Sequence, residues 1–205
     1  SFSAPATASS GWGNGKFGKG LIFDGSSDYV DIGNPSQLRP TSNVITISTW
    51  VKPSNTGAGN GYIVSKENAT VDYFLRQQGT SGAVRCSFEG VNAGDAPAGT
   101  LVNGEWAFIV CVFDGSNNII YKNGVSILSG AAVTSTFSDN GDSVDIGRKG
   151  DGTTYFTGAI DEVRIYNRAL SPGEVRRLYD SGVIKINTSQ NNLIRNGLIG
   201  YWNMD

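Results

Sequence analysis

Short apolar runs, each closed by a turn signal, recur along almost the whole chain, and this pattern restricts it to an all-β fold. Leu21-Ile22-Phe23 runs into Asp24-Gly25. Residues 29–32 and 44–51 follow, the second run stopping at Pro53. Further runs cover residues 62–65, 73–77, 84–88, 106–113, 119–122, 125–128, 144–146 and 155–166. Between them stand Asn103-Gly104, Asp114-Gly115, Asn123-Gly124 and Asn140-Gly141, pairs that supply the positive φ a tight hairpin needs. About a dozen strands punctuated in this way predict a sandwich or jelly roll.

Two runs indicate how the faces are used. Ile45, Ile47, Thr49 and Val51 share one face of their strand. Thr46, Ser48 and Trp50 share the other, and Trp50 puts a large apolar body there. The run from Trp106 to Phe113 is apolar on both faces, which predicts a central strand covered on both sides. One helix is signalled by Ser171 as N-cap, Pro172 at the first helical position and Glu174 closing a capping box. Leu170 and Val175 are spaced as a hydrophobic staple, and Gly182 is the expected stop. The expectation is a helix of roughly three turns against an edge of the sandwich.

Composition removes several classes of function. The chain has 205 residues, a net charge of −2 and no histidine. Without a basic excess there is nothing to neutralise a phosphate backbone, so nucleic acid is not the expected partner. Without histidine, Ser-His-Asp and Cys-His schemes are excluded, together with the commonest transition-metal ligand. No run approaches the ~20 apolar residues of a membrane span. Residues 1–10 lack the charged and apolar regions of a secretory leader. Cys86 and Cys111 both sit in apolar strand patterns, which leaves two readings: a disulfide between adjacent strands in an oxidising compartment, or two buried thiols.

Several blocks resemble bacterial laminin-G-like domains of the concanavalin-like lectin/glucanase superfamily. The first runs from Lys16-Phe17-Gly18-Lys19-Gly20 through Asp24-Gly25 to Asp28-Tyr29-Val30-Asp31-Ile32. Others are Ile47-Ser48-Thr49-Trp50-Val51-Lys52-Pro53, Gly104-Glu105-Trp106 and Tyr121-Lys122-Asn123-Gly124. The most specific is Gly158-Ala159-Ile160-Asp161-Glu162-Val163-Arg164-Ile165-Tyr166. The resemblance covers residues 16–181. It implies two packed antiparallel sheets in a jelly roll, an extracellular or cell-surface setting within a larger multidomain protein, and no fixed function, because this fold hosts lectins, adhesion modules and glycosidases alike.

On this reading residues 1–182 form the sandwich, 183–196 a polar connector, and 197–205 an apolar strand. That strand, with Tyr201-Trp202, resembles the first strand of such domains but stands at the other end. It would belong to a following repeat, close its own sandwich as in a circular permutant, or insert into a neighbouring copy.

The resemblance also implies a structural calcium ion shared by Asp24, Gly25, Asp28 and Asp161; the plain alternative is that Asp24 and Asp28 hold a turn and Asp161 is a bonded strand carboxylate. The acidic loop Asp139-Asn140-Gly141-Asp142 reads as a turn. For glycan contact the candidates are Trp12, Tyr62, Tyr73, Arg76, Gln77 and Asn92, aromatics beside amide and guanidinium groups, with Trp12 the most exposed. Concanavalin-like glycosidases use paired carboxylates. Here Ala159 takes the place of the first, and Asp161 and Glu162, being consecutive, should face opposite ways. The expectation is a non-catalytic binding or adhesion module for carbohydrate or a cell-surface protein. A surface-layer repeat linked by strand addition is the rival, and a glycoside hydrolase or lyase the weaker one.

Overall fold

In the computed structural model the described residues are 2–3, 11–39, 42–68, 71–92, 94–130, 137, 139–181 and 196–203. In chain order the first strands are β1 (Phe2–Ser3), β2 (Gly11–Asn14), β3 (Lys19–Asp24), β4 (Tyr29–Gly33), β5 (Ile45–Pro53), β6 (Gly61–Glu67), β7 (Val71–Gln78) and β8 (Ala83–Phe88). They are followed by β9 (Val91–Asn92), β10 (Ala107–Phe113), β11 (Asn118–Lys122), β12 (Val125–Gly130), β13 (Val144–Ile146), β14 (Thr157–Tyr166), helix α1 (Pro172–Ser181) and β15 (Leu198–Trp202). Sheet A has the order β1-β4-β13-β6-β7-β8-β9. Sheet B has the order β12-β11-β10-β5-β14-β3-β2, with β15 also on β14. The fold is therefore an all-β, two-sheet antiparallel jelly-roll sandwich with one short helix, as expected.

Alternation explains the layers. In sheet B, Ile47, Cys111, Ile120 and Ile165 point inward. In sheet A, Leu75, Val84, Cys86, Phe88 and Ile146 meet them, and all are buried in one cluster between the sheets. The hairpin from β11 to β12 pairs Lys122 with Val125, so Asn123 and Gly124 form a two-residue turn. Both have positive φ, 52° and 80°, the conformation in which a Cβ is least tolerated.

Trp50, Phe108, Val110, Tyr121 and Tyr166 point out of sheet B's other face and meet Val175 and Leu178 of α1 in a second buried cluster. The helix therefore packs across the face of sheet B, not at an edge, because that face carries the larger apolar area. At roughly 1.5–3 kcal/mol for each large apolar side chain buried, this cluster holds the helix down. The capping box forms: Ser171 N donates to Glu174 Oε2 at 2.9 Å, and Arg168 pairs with the same carboxylate at 2.8 Å. Gly182 and nearly all of the polar connector lie outside the described residues.

Cys86 and Cys111 form a disulfide with a Cα–Cα distance of 6.1 Å. It joins β8 of sheet A to β10 of sheet B, so it crosses the sandwich instead of linking neighbours within a sheet. Both residues sit in inward-facing rows, which puts their Cβ atoms face to face across the core.

β15 pairs antiparallel with β14, Trp202 opposite Val163 and Leu198 opposite Tyr166. The strand thus adds to its own chain's sheet. Ile199 and Trp202 pack on the main core and Leu198 on the second one. Exposed Tyr201 is held from beside: its hydroxyl donates to Glu162 at 3.0 Å, and Arg164 lies 4.4 Å from its ring centre.

Candidate ligand-binding face

The outer face of sheet A has no helix over it among the described residues, and its rows read differently. One row across the sheet is Asp31, Asp145, Ser65, Phe74, Ser87 and Asn92. The next is Tyr62, Arg76 and Arg85. Tyr62 and Phe74 pack edge to face, ring centres 5.3 Å apart. Arg76 lies over both, its guanidinium carbon 5.2 Å from the Tyr62 ring centre and 4.9 Å from that of Phe74. Its Nη1 donates to the Tyr62 hydroxyl at 2.8 Å.

Arg76 forms no ion pair with the described residues, whereas its cross-strand neighbour Arg85 pairs with Asp95 at 2.6 Å. Glu67 stands nearby, 3.8 Å from Lys149, which pairs more closely with Asp151 at 2.6 Å. Burial pushes the Glu67 carboxyl up, against the pull of Tyr62, Lys149 and Arg76. Burial also pushes the Tyr62 hydroxyl up to about 12. On the β13 side Arg148 covers the Tyr29 ring at 3.3 Å and bonds Asp145 at 3.3 Å. Burial raises the Asp145 carboxyl to about 6 in spite of that arginine. Glu67 Oε2, Arg76 Nε, Gln78 Oε1, Asp145 Oδ2 and Arg148 Nε are all buried without a protein hydrogen-bond partner. A polar atom left so costs about 1–3 kcal/mol; this face carries five of them, and the outer face of sheet B carries others, Ser48 Oγ and Tyr166 Oη among them.

Of the six residues expected to contact glycan, the structure brings together Tyr62 and Arg76, with Asn92 further along the same face. Tyr73 and Gln77 are corrected: both point inward. Tyr73 is buried and donates to the Leu38 carbonyl, and Gln77 donates to the Gly59 carbonyl at 2.8 Å. Period-two alternation requires this, since 73, 75 and 77 share a face that 76 cannot. Trp12 is 58% exposed but lies on β2, the edge of sheet B, away from the others. Phe74, Arg85 and Glu67 also join the face: alternation with Arg76 signals Phe74, whereas Glu67, five residues from Tyr62, reaches it through the register shifts in β6.

The four residues expected to share calcium do not converge. Asp24 lies opposite Thr157, whereas Asp161 lies opposite Trp50, four residues further along β14. Asp24 accepts from the amides of Ser26, Ser27 and Asp28 and from the hydroxyls of Ser26 and Ser27. Burial opposes these bonds, but together they hold its carboxyl well below the usual range. Asp28 accepts from Asp24 N at 3.1 Å, closing the turn around Gly25. Asp161 accepts from the amides of Lys16 and Phe17 at 2.8 and 3.0 Å. Protein donors thus engage both oxygens of Asp24 and the Oδ2 of Asp28 and of Asp161. Among the described residues no three His, Cys, Asp or Glu side chains gather as a metal-ligating group. The 139–142 loop is likewise tied by the protein: buried Lys66 bonds Asp72 at 2.5 Å and Asp139 at 2.8 Å, and Asn68 N donates to Asp142.

Asp161 and Glu162 are not simply on opposite faces. Glu162 takes φ +55° where the register between β14 and β5 shifts, so it is the extra residue of a bulge. It is engaged by Arg164 and Tyr201, while Asp161 is closed over by the Lys16-Phe17 turn. The two carboxyls are held by different partners.

The family model described as the concanavalin A-like lectin/glucanases superfamily, Laminin_G_3, matches residues 24–176. The chain belongs to that superfamily. A curated relative, adhesion G-protein coupled receptor V1 of Danio rerio, is 27% identical over 151 residues, 66% of this chain and 2% of the receptor. The chain thus spans a very small part of that relative. Domain 4 of AbnA, an extracellular arabinanase of Geobacillus stearothermophilus solved with arabinotriose, superposes with a TM-score of 0.65 at 23% identity, covering 84% of this chain and 82% of the domain. The CBM40 of a Ruminococcus gnavus sialidase, bound to sialyllactose, gives a TM-score of 0.63 at 16% identity, covering 78% of this chain and 96% of that module. At these identities the likeness of this laminin-G-like chain to both is one of fold.

Proposed function

We propose that this laminin-G-like chain is a non-catalytic carbohydrate-binding module of an extracellular protein, and that the outer face of sheet A is its recognition face. The observation that carries this reading is Arg76, without an ion pair among the described residues, lying across Tyr62 and Phe74 beside Glu67. Such an arrangement suits a sugar. Two neighbouring ring hydroxyls can engage a guanidinium donor and a carboxylate acceptor, and movement of Arg76 off Tyr62 and Phe74, rings now 3% and 5% exposed, would open aromatic surface to the apolar side of the sugar. Rearrangement of the Arg76 and Glu67 side chains on binding would satisfy atoms that are now buried without partners.

The solved relatives found with arabinotriose and sialyllactose support carbohydrate as the ligand class. The inter-sheet disulfide supports an oxidising, extracellular setting. The engagement of Asp161 and Glu162 by separate partners supports a binding role over hydrolysis. The cis pairing of β15 weighs against a surface layer built by strand exchange. Calcium is left out of this reading, because protein donors engage Asp24 and one oxygen of Asp161, and among the described residues no three acidic side chains gather as a metal-ligating group. A bound ion would stabilise the fold by mass action, so adding calcium or a chelator is expected to leave the melting temperature unchanged.

A glycan array probed with the wild type and with Arg76→Ala tests the proposal. Binding by the wild type that falls by about tenfold or more in the variant is expected. A blank array, with a surface protein captured instead through this same face, would replace carbohydrate by a protein ligand. The adhesion-receptor relative makes that the second reading.

A further inference from the structure

Beyond α1, the outer face of sheet B ends in an open cleft of about 180 Å³. Its floor is apolar and shallow: Ile22 and Ala159 lie in one row across β3 and β14, Pro53 and Gly158 lie beside them, and Lys52 continues the row on β5. Small residues make the depression. At Gly158 a Cβ would stand 2.3 Å from the Lys52 carbonyl and 2.8 Å from Pro53 Cα, so this position cannot carry a side chain without displacing the floor. The rim is polar, with Asn14 and Ser54. Lys52 lines the cleft, and its ammonium has no ion pair and no hydrogen bond with the described residues. The charged groups of sheet A's outer face lie on the opposite side of the sandwich.

Size, charge and floor together restrict what fits. Drug-sized ligands fill about 300–1,000 Å³, whereas a cavity of about 150 Å³ accepts a single six-membered ring. We infer that this cleft is a second ligand site, independent of sheet A, for one sugar ring bearing a carboxylate, such as a uronic acid residue. The ring's C–H face would rest on Ile22, Pro53 and Ala159, its hydroxyls would reach Asn14 and Ser54, and its carboxylate would pair with Lys52.

Amide chemical-shift mapping of the full chain tests this, with sodium glucuronate and methyl glucoside as probes. Glucuronate is expected to shift the amides of Ile22, Ser54 and Ala159, and methyl glucoside at the same concentration is not. Lys52→Gln, which leaves the floor intact, is expected to weaken the response roughly tenfold. Ala159→Leu, which fills the floor, is expected to abolish it, with circular dichroism confirming that the variant is folded; if it is not, Lys52→Gln decides alone. Equal responses to both probes, an unchanged response in Lys52→Gln, shifts confined to Tyr62 and Arg76, or no shift at all would each overturn the assignment. The array result on Arg76→Ala is read separately, so failure here leaves the sheet A proposal standing and the reverse also holds.

Discussion

The two outer faces of the sandwich begin from the same period-two alternation and come to opposite ends. Sheet B turns Trp50, Phe108, Val110 and Tyr166 outward, and α1 closes over them as a second core. Sheet A turns Tyr62, Phe74, Arg76 and Arg85 outward, and among the described residues no helix covers them. Aromatic rings occur on both faces, so ring content alone does not separate packing from recognition. What separates them is the company: apolar neighbours and a helix on one side, charged groups such as Arg76, Arg85, Glu67 and Asp145 on the other. A face of the first kind contributes stability; a face of the second kind holds polar groups whose hydrogen-bonding capacity the protein leaves unused.

Substitutions on the two faces should therefore split stability from binding. Trp50→Ala removes the centre of the second core and should destabilise the chain by about 3–5 kcal/mol in urea unfolding, releasing α1. Phe74→Ala deletes a ring of similar burial that packs on Tyr62 and lies under Arg76, and should cost about 1.5–3 kcal/mol. A loss as large as that for Trp50 would mean that sheet A's outer face is a core in its own right. Arg76→Ala should change stability by less than about 1 kcal/mol while removing sugar binding. Equal losses of both would erase the contrast.

The smallest effects are those of pH. Glu174, on the helix side, is held down to about 2, first by Arg168, from an ordinary 4.5. Its contribution is present above the ordinary value and is lost as pH falls from about 4.5 towards 2. Asp145, on the open face, is raised by burial to about 6 from 3.8. The folded state therefore holds its proton more tightly, and stability declines as pH rises from about 4 through 6. Melting curves across this range should show a shallower acid limb in Glu174→Gln and a shallower upper slope in Asp145→Asn, with Asp24 and Asp139 sustaining the rest of the first and Asp161 the rest of the second.

Alternation and turn chemistry made most of the sandwich legible, because both are local. Asn123-Gly124 specified its hairpin, and Ser171 with Glu174 specified the start of α1. The run from Trp106 to Phe113 announced two covered faces, although nothing local revealed that α1 covers one of them. Contacts between residues distant in sequence were the harder part. The partners that fill Asp161, Lys16 and Phe17, lie more than a hundred residues away in the chain, and the sheet to which each cysteine belongs depends on strand order. Strand β2 escaped notice because Gly11-Trp12-Gly13-Asn14 has almost no side chains to alternate. Tyr73 and Gln77 are different: the alternation that sends them inward was present in the sequence, but aromatic and amide character was given more weight than parity.

One consequence of where β15 lies concerns force. β3 covers β14 from Thr157 to Ile160, and β15 covers it from Val163 to Tyr166, on the same side and in the same direction. The two strands thus lie end to end along one rail, separated by the Glu162 bulge. Tension drawn along either strand loads its ladder of hydrogen bonds in parallel, as shear, instead of opening the bonds one after another. An adhesive module anchored through these strands would resist pulling to a degree that its equilibrium stability does not foretell, and the bulge between them is where the load would be divided.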